Sequence, residues 1–370
     1  MITKHQLFSM MILFEIGSTT LFVLGIGAKQ DAWIVILLAT LAGLLLLCIY
    51  FLLQKRHPGK GIGEMLLDIC GPIIGFPLVV LYAGYFTYCT SINLRDFCEL
   101  VSITQLEYTP LPVIMVIIIL PIFYLLYCGV SSLAKLSEIL FTIFIISVAT
   151  IYILVIVSGI FHPGFLLPVL SNGFFSLFNM DLVKTIEFPY GEIVAFLALW
   201  KFTESPSQYR RSSVKAILCT GAFLVITDIF ILCTLGADYA AISTIPLFKV
   251  IRLINIKNII TNLNAVGVVL IFIGGFFKIC IFFFAAVLTL EPILKISRKI
   301  IILIVGAVVC TNTLSIPGFL QHVWASNYVR TPYVHGLFQI AIPPVLLLAS
   351  LAKSPEKKKR EQHSTDVFPS

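Results

Sequence analysis

Apolar runs long enough to cross a bilayer recur from Leu7 to the basic end of this chain, and that recurrence leaves room for little else. A helix needs about 20 mostly apolar residues to cross bilayer hydrocarbon. Ten such crossings can be drawn: roughly Leu7 to Ala28, Ala32 to Leu53, Pro72 to Ile92, Leu111 to Tyr127, Leu136 to Ile160, Leu182 to Trp200, Ala216 to Leu235, Ala265 to Leu290, Ile300 to Cys310 with its neighbours, and Val334 to Leu351. The ninth is the least regular, because CTNTLSIPG interrupts it. Of 370 residues, 59% are hydrophobic and 12% charged, with a mean hydropathy of +1.04. A soluble domain with a polar surface cannot carry that balance. The expected fold class is an all-α integral membrane protein. Connections are short and leave no soluble catalytic domain, so we expect one transmembrane domain over residues 1–352 and a basic, disordered, cytoplasmic tail over 353–370. That tail holds its lysines near anionic lipid headgroups.

The opening run has a basic start, as a cleaved signal peptide does. It is too long for one, carries Glu15 and lacks a small-residue cleavage site, so it reads as an uncleaved first span. Nine cysteines lie scattered, mostly within apolar runs and without a C-x-x-C pair. They read as small buried hydrophobes, not as a disulfide frame or metal site. The formal charge of +7 raises nucleic acid as a partner, but topology accounts for it better. With ten spans and a cytoplasmic start, 17 basic residues fall on the inside and 7 on the outside, counting every Lys and Arg except Lys278. That bias places both termini inside. The loop IPLFKVIRLINIKN, Ile245 to Asn258, alternates apolar residues with Lys249, Arg252 and Lys257. It reads as a short outside helix lying on the membrane or over a cavity.

Within span six stands EFPYGE, Glu187 to Glu192, where Pro and Gly bracketed by carboxylates break an apolar run. Backbone groups left unpaired in hydrocarbon cost several kcal/mol each, so such breaks persist where protein, water or ligand meets the freed groups. Span one carries its own weak point at matching depth, EIGSTT, Glu15 to Thr20. Spans one and six hold corresponding places in two five-span halves, about 7–160 and 182–352. Paired breaks of this kind point to an inverted-repeat transporter fold with a midplane site. A proline kink and a small-residue packing face are the plainer readings of the same residues.

The stretches FEIGSTTLFVLGIGAKQDAWI, KRHPGKGIGEML and FPYGE make the chain resemble the permease-like B subunit of bacterial spore germinant receptors, a branch of the amino acid, polyamine and organocation transporter superfamily. The resemblance covers essentially the whole chain. It implies a LeuT-like 5+5 inverted repeat with broken helices 1 and 6, residence in the spore inner membrane, and assembly with a larger A subunit and a C lipoprotein. The nutrient is not implied: an amino acid comes first, then a sugar or nucleoside. In LeuT-like folds half-helix N-termini suit a substrate carboxylate, which would set Gly17, Ser18 and Thr19 against a ligand. Freed carbonyls around Phe188 and Pro189 would accept from an ammonium or hydroxyl, and Tyr190 would close one wall beside Gly191. Interhelical hydrogen bonding is the alternative for Ser18 and Thr19, and capping of the second half-helix is the alternative for Glu192.

Glu15, Glu187 and Lys278 are the remaining candidates, read as a coupling and charge network. Glu15 and Lys278 each cost about 2.5–3.5 kcal/mol if unpaired at a span centre, so each needs a partner. Sodium-coupled members of the LeuT-like group hold a cation between spans one and eight. Lys278, in span eight, would put a tethered ammonium there, paired with Glu15 or with span-one carbonyls; snorkelling of Lys278 is the other reading. Asp228 faces the bundle interior without an assigned role. Arg95, Asp96 and Glu99 read as a solvated interface, and Trp33 and Trp200 as aromatic belts. No catalytic triad, metal-ligand spacing or phosphate loop stands in the sequence, so neither enzyme, metal nor cofactor is expected. The leading expectation is a nutrient-sensing membrane subunit. A proton-coupled amino acid permease, using Glu15, Glu187 or Glu192, and a scaffold without ligand binding are its rivals.

Overall fold

The computed structural model describes residues 1–17, 19–256, 264–316 and 326–353. Ser18, Lys257, the Pro317–Gly318 break of span nine and the tail after Lys353 lie outside them. Helix α1 (Lys4–Ile16) starts on a capping box in which Thr3 and Gln6 satisfy each other's exposed N–H groups. It stops at Gly17, and a 3-10 turn over Thr19–Leu21 resumes the crossing. Helix α2 (Ala32–Arg56) ends on Lys55 and Arg56, cations suited to the negative helix end.

Helix α3 (Ile62–Thr104) is 43 residues long and kinks where Gly71 adopts φ 73° before Pro72. A Pro cannot donate into the preceding turn, so the first nine residues run at an angle to the crossing, which begins at Pro72 as the sequence predicts. Helices α4 (Leu111–Cys128) and α5 (Val130–Val157) are separated by one residue, Gly129, at φ 88°. Then α6 (Met180–Glu187) gives way at Phe188 and Pro189 to a 3-10 helix over Tyr190–Ala198. Helices α7 (Pro206–Leu235), α8 (Ala237–Ile242), α9 (Pro246–Leu253), α10 (Asn264–Leu290) and α11 (Arg298–Ser315) follow. A π-helical stretch over Ser326–Ala341 runs into α12 (Ile342–Ala352).

Among the described residues, eight helical segments are long and apolar enough to span a membrane. The two interrupted elements supply the other crossings of the ten drawn from sequence. Span eight, in α10, is the pivot: 82% of its most apolar window is buried, against 22% for α5. It packs on α3, α1 and the 3-10 half of span six. Peripheral spans instead present Ile and Leu outward, such as Ile117, Ile139, Ile146 and Leu348.

Polar contacts tie each end of the bundle together. At one end the Ile2 N–H donates to Phe202 O at 2.9 Å, Lys201 pairs with Glu64 at 3.4 Å, Arg56 donates to Ser350 O at 2.7 Å and Lys353 donates to Asp68 O at 2.7 Å. At the other, Lys29 pairs with Asp238 at 3.3 Å and Gln30 donates to Pro168 O at 2.9 Å. The N-terminus and Lys353 thus share one face, as an even number of crossings requires. Helix α9 covers part of the opposite face: Leu247, Phe248, Val250 and Ile251 are buried. Beneath it lies a cavity of about 10 Å³, lined by Thr20, Tyr152, Thr227 and Leu247 among others, room for about one water.

Three expectations are corrected here. Trp200 is no belt residue: it is 2% exposed, because Tyr209 of the following helix stacks on it at 5.2 Å and Phe51 of α2 packs against it at 5.3 Å. Arg95 and Glu99 form a close pair at 2.6 Å with side chains only 14% and 10% exposed, not a solvated cluster. The nine cysteines are free thiols, of which Cys48, Cys128 and Cys219 face outward while Cys89, Cys98, Cys233 and Cys280 are buried.

Candidate functional site at the two breaks

Gly17 ends α1 against the backbone of span eight. A Cβ at Gly17 would lie 2.5 Å from Gly274 O, and one at Gly274 would fall onto the Gly17 backbone. The two glycines therefore let spans one and eight touch main chain to main chain, a packing role that sequence reasoning did not assign. Thr19 is fully buried, and its hydroxyl donates to Glu15 O at 2.7 Å and Ile16 O at 2.9 Å. It thereby satisfies carbonyls freed where α1 stops; its partners lie within span one, not on another helix.

In span six the Pro189 carbonyl accepts the Glu192 N–H at 3.0 Å, so the turn uses that group itself. The ammonium beside the break is the protein's own. Lys278, fully buried, pairs with Glu192 Oε2 at 2.6 Å and lies over the Phe188 ring at 4.0 Å and the Phe14 ring at 5.6 Å. One cation from span eight thus joins both interrupted spans, held by a carboxylate and two aromatic faces. The expected pairing with Glu15 is corrected: both Glu15 carboxylate oxygens, fully buried, accept no hydrogen bond from any described residue. The choice of Glu192 follows from the break, which carries the second half of span six back across the face of α10 and sets Glu192 in its first turn.

Tyr190 is fully buried and points toward span two, its hydroxyl 2.7 Å from Thr40 Oγ1. A Cβ at Gly43 would lie 2.8 Å from the Tyr190 ring, so the Gly is the notch that receives it. Gly191 faces Gln339 of span ten; a Cβ there would collide with the Gln339 amide. Gln339 donates to Tyr85 OH at 2.8 Å, and Tyr50 OH donates to Gln339 O at 2.8 Å. Tyr85 also bonds His335 Nδ1 at 3.0 Å. Glu187 closes α6 at 2% exposure beside Gly336, its Oε2 without a partner among the described residues. Asp228, in α7, is 2% exposed.

The structure therefore gathers Glu15, Gly17, Thr19, Phe188, Glu192 and Lys278 around one junction, and sets Tyr190, Gly191 and Glu187 on its span-two and span-ten sides. Sequence reasoning missed Thr40, Tyr50, Tyr85 and Gln339. A lone Gln in span ten was the signal available for one of them; the tyrosines and Thr40 look like ordinary span residues.

The fold and junction have counterparts among known proteins. The sequence model of the spore germination protein family matches residues 1–316. The chain belongs to that family. It is similar to spore germination protein KB of Bacillus subtilis (strain 168), 28% identical over 369 residues, covering 98% of this chain and 96% of that protein. Its membership is of the permease-like B-subunit kind, as the first-hairpin text implied. Among solved structures it resembles MhsT in complex with L-phenylalanine, with a TM-score of 0.63 and 13% identity over 93% of this chain and 87% of that one. It also resembles Mhp1, a nucleobase-cation-symport-1 family transporter in a closed conformation with bromovinylhydantoin bound, with a TM-score of 0.50 and 11% identity over 95% and 90%. At such identities the likeness establishes the fold, which is LeuT-like with spans one and six broken.

Proposed function

We propose that this chain is the nutrient-sensing membrane subunit of a spore germinant receptor. It binds a small polar nutrient, an amino acid first, between the interrupted spans, and passes the change to an A subunit and a C lipoprotein. It lies in the spore inner membrane with both termini cytoplasmic, and it catalyses no reaction. The observation that carries this reading is the Lys278–Glu192 pair at 2.6 Å, set against Phe188 and Phe14. A covalently tethered cation at the junction of spans one, six and eight cannot be exchanged across the membrane. It can instead hold the junction in one of two arrangements, and a ligand that favours the other shifts the balance only by its differential affinity. The amino acid held by MhsT supports ranking that class first. The test pairs spores lacking related receptors with vesicles carrying the chain. Substituting Tyr190→Phe or Thr19→Val should move the nutrient threshold for germination, with no gradient-driven uptake in vesicles.

A proton-coupled permease is the second reading, favoured by one observation: Glu15 is buried with both carboxylate oxygens unpartnered among the described residues. Uptake driven by a proton gradient and lost in Glu15→Gln would replace the sensor with the permease.

A further inference from the structure

We infer that Glu15 is the counter-ion for an ammonium group of the ligand, so that the nutrient is an amine-bearing molecule and not a sugar or nucleoside. The inference rests on the sensor reading above and gives its site a chemistry. Glu15 lies two residues before the Gly17 break, at the carbonyl end of α1, where the helix dipole already favours positive charge. The side chain is fully buried and neither oxygen accepts a hydrogen bond from a described residue. A carboxylate so placed needs a cation or several donors. Lys278, the buried cation of the junction, directs its ion pair to Glu192 at 2.6 Å and also lies over the ring faces of Phe188 and Phe14.

Helix α1, which carries Glu15, packs on α10 and on the 3-10 half of span six, the elements that hold Lys278 and Glu192. Of the ionisable groups buried around the breaks, Glu15, Glu187, Glu192 and Asp228 are acidic and Lys278 alone among the described residues is basic. A hydroxyl-only ligand brings no positive charge to Glu15, whereas an ammonium supplies both a local cation and the donors that its oxygens lack. Lys278 is then left to hold Glu192.

The full chain in lipid nanodiscs, followed by thermal unfolding, tests this. The probes are the twenty proteinogenic L-amino acids, the 2-hydroxy acids matching any that stabilise, D-glucose and inosine. At least one amino acid should raise the unfolding temperature while its hydroxy acid, glucose and inosine do not. Glu15→Gln should weaken that amino acid at least about tenfold, the scale of one charge-assisted hydrogen bond, while Glu15→Asp retains part of the effect. Unfolding of unliganded Glu15→Gln should be no lower than that of the parent chain, which separates lost recognition from lost folding. Stabilisation by glucose, inosine or a hydroxy acid overturns the amine assignment and leaves the sensor reading standing, as does an amino acid that Glu15→Gln binds equally well. Stabilisation by no probe overturns both.

Discussion

Lys278 is the side chain on which the junction depends. Removing one member of a buried ion pair strands the other and costs about 3–5 kcal/mol, whereas removing both costs far less. Lys278→Met should therefore lower the unfolding temperature sharply, and Lys278→Met with Glu192→Gln should recover much of the loss. The same Lys278 change combined with Glu15→Gln should recover little, since the close ion pair at 2.6 Å is with Glu192. Thermal unfolding of the three single variants, Lys278→Met, Glu192→Gln and Glu15→Gln, and the two doubles in nanodiscs measures the two coupling energies, and a larger coupling to Glu15 would reject the pairing. Tyr50 offers a milder check: its hydroxyl donates to Gln339 O, so Tyr50→Phe should cost about 1 kcal/mol.

At the level of elements, the two breaks work differently. The first is defined by contact: Gly17 and Gly274 allow α1 and α10 to meet backbone to backbone. Gly274→Ala has no room for its methyl and should destabilise by about 1–3 kcal/mol through overpacking, seen as lower abundance in membranes. The second break is defined by backbone chemistry. Pro189→Ala removes the residue that stops α6 and favours a continuous helix by about 3 kcal/mol. We expect Pro189→Ala to insert at normal abundance and to lose the germination response, because a straight span six carries Glu192 away from Lys278. A normal response in that variant would remove the broken-helix site. Gly191 is the poorer position for this test, since any side chain there strikes Gln339 and mixes a packing defect with the conformational one.

For the whole molecule, the contacts at the two ends of the bundle set a topology that labelling can read. Glu204 and Lys353 are exposed at the end that holds the N-terminus, and Ser171 and Ala241 are exposed at the other. In a background with the nine cysteines replaced, an impermeant maleimide added to intact cells should label Ser171→Cys and Ala241→Cys and leave Glu204→Cys and Lys353→Cys unlabelled until the membrane is opened. The reverse pattern would invert the orientation that the basic residues imply. The central place of span eight also bears on mechanism. It touches both interrupted spans and is the most buried of the eight long crossings among the described residues, so any movement of either half must be accommodated along α10.

What could be read from the chain alone was whatever local chemistry dictates. Span lengths follow from runs of apolar residues, the interruptions from Gly17 and from Pro189 with Gly191, and the kink before span three from Gly71 and Pro72, because each acts on its own backbone whatever surrounds it. An inverted-repeat transporter fold was indicated for the same reason, by two breaks at matching places, and its LeuT-like form by the resemblance to the germinant-receptor family. Partnership inside the bundle was not. Lys278 needs a counter-ion wherever it lies, yet whether Glu15 or Glu192 meets it depends on how α10 is rotated and on the path span six takes after Pro189. Trp200 turned inward for a similar reason, since Phe51 of α2, distant in sequence, packs against its ring. Spans that are apolar all round carry no periodic stripe to declare which face turns inward, so only close packing in three dimensions selects which buried charges touch.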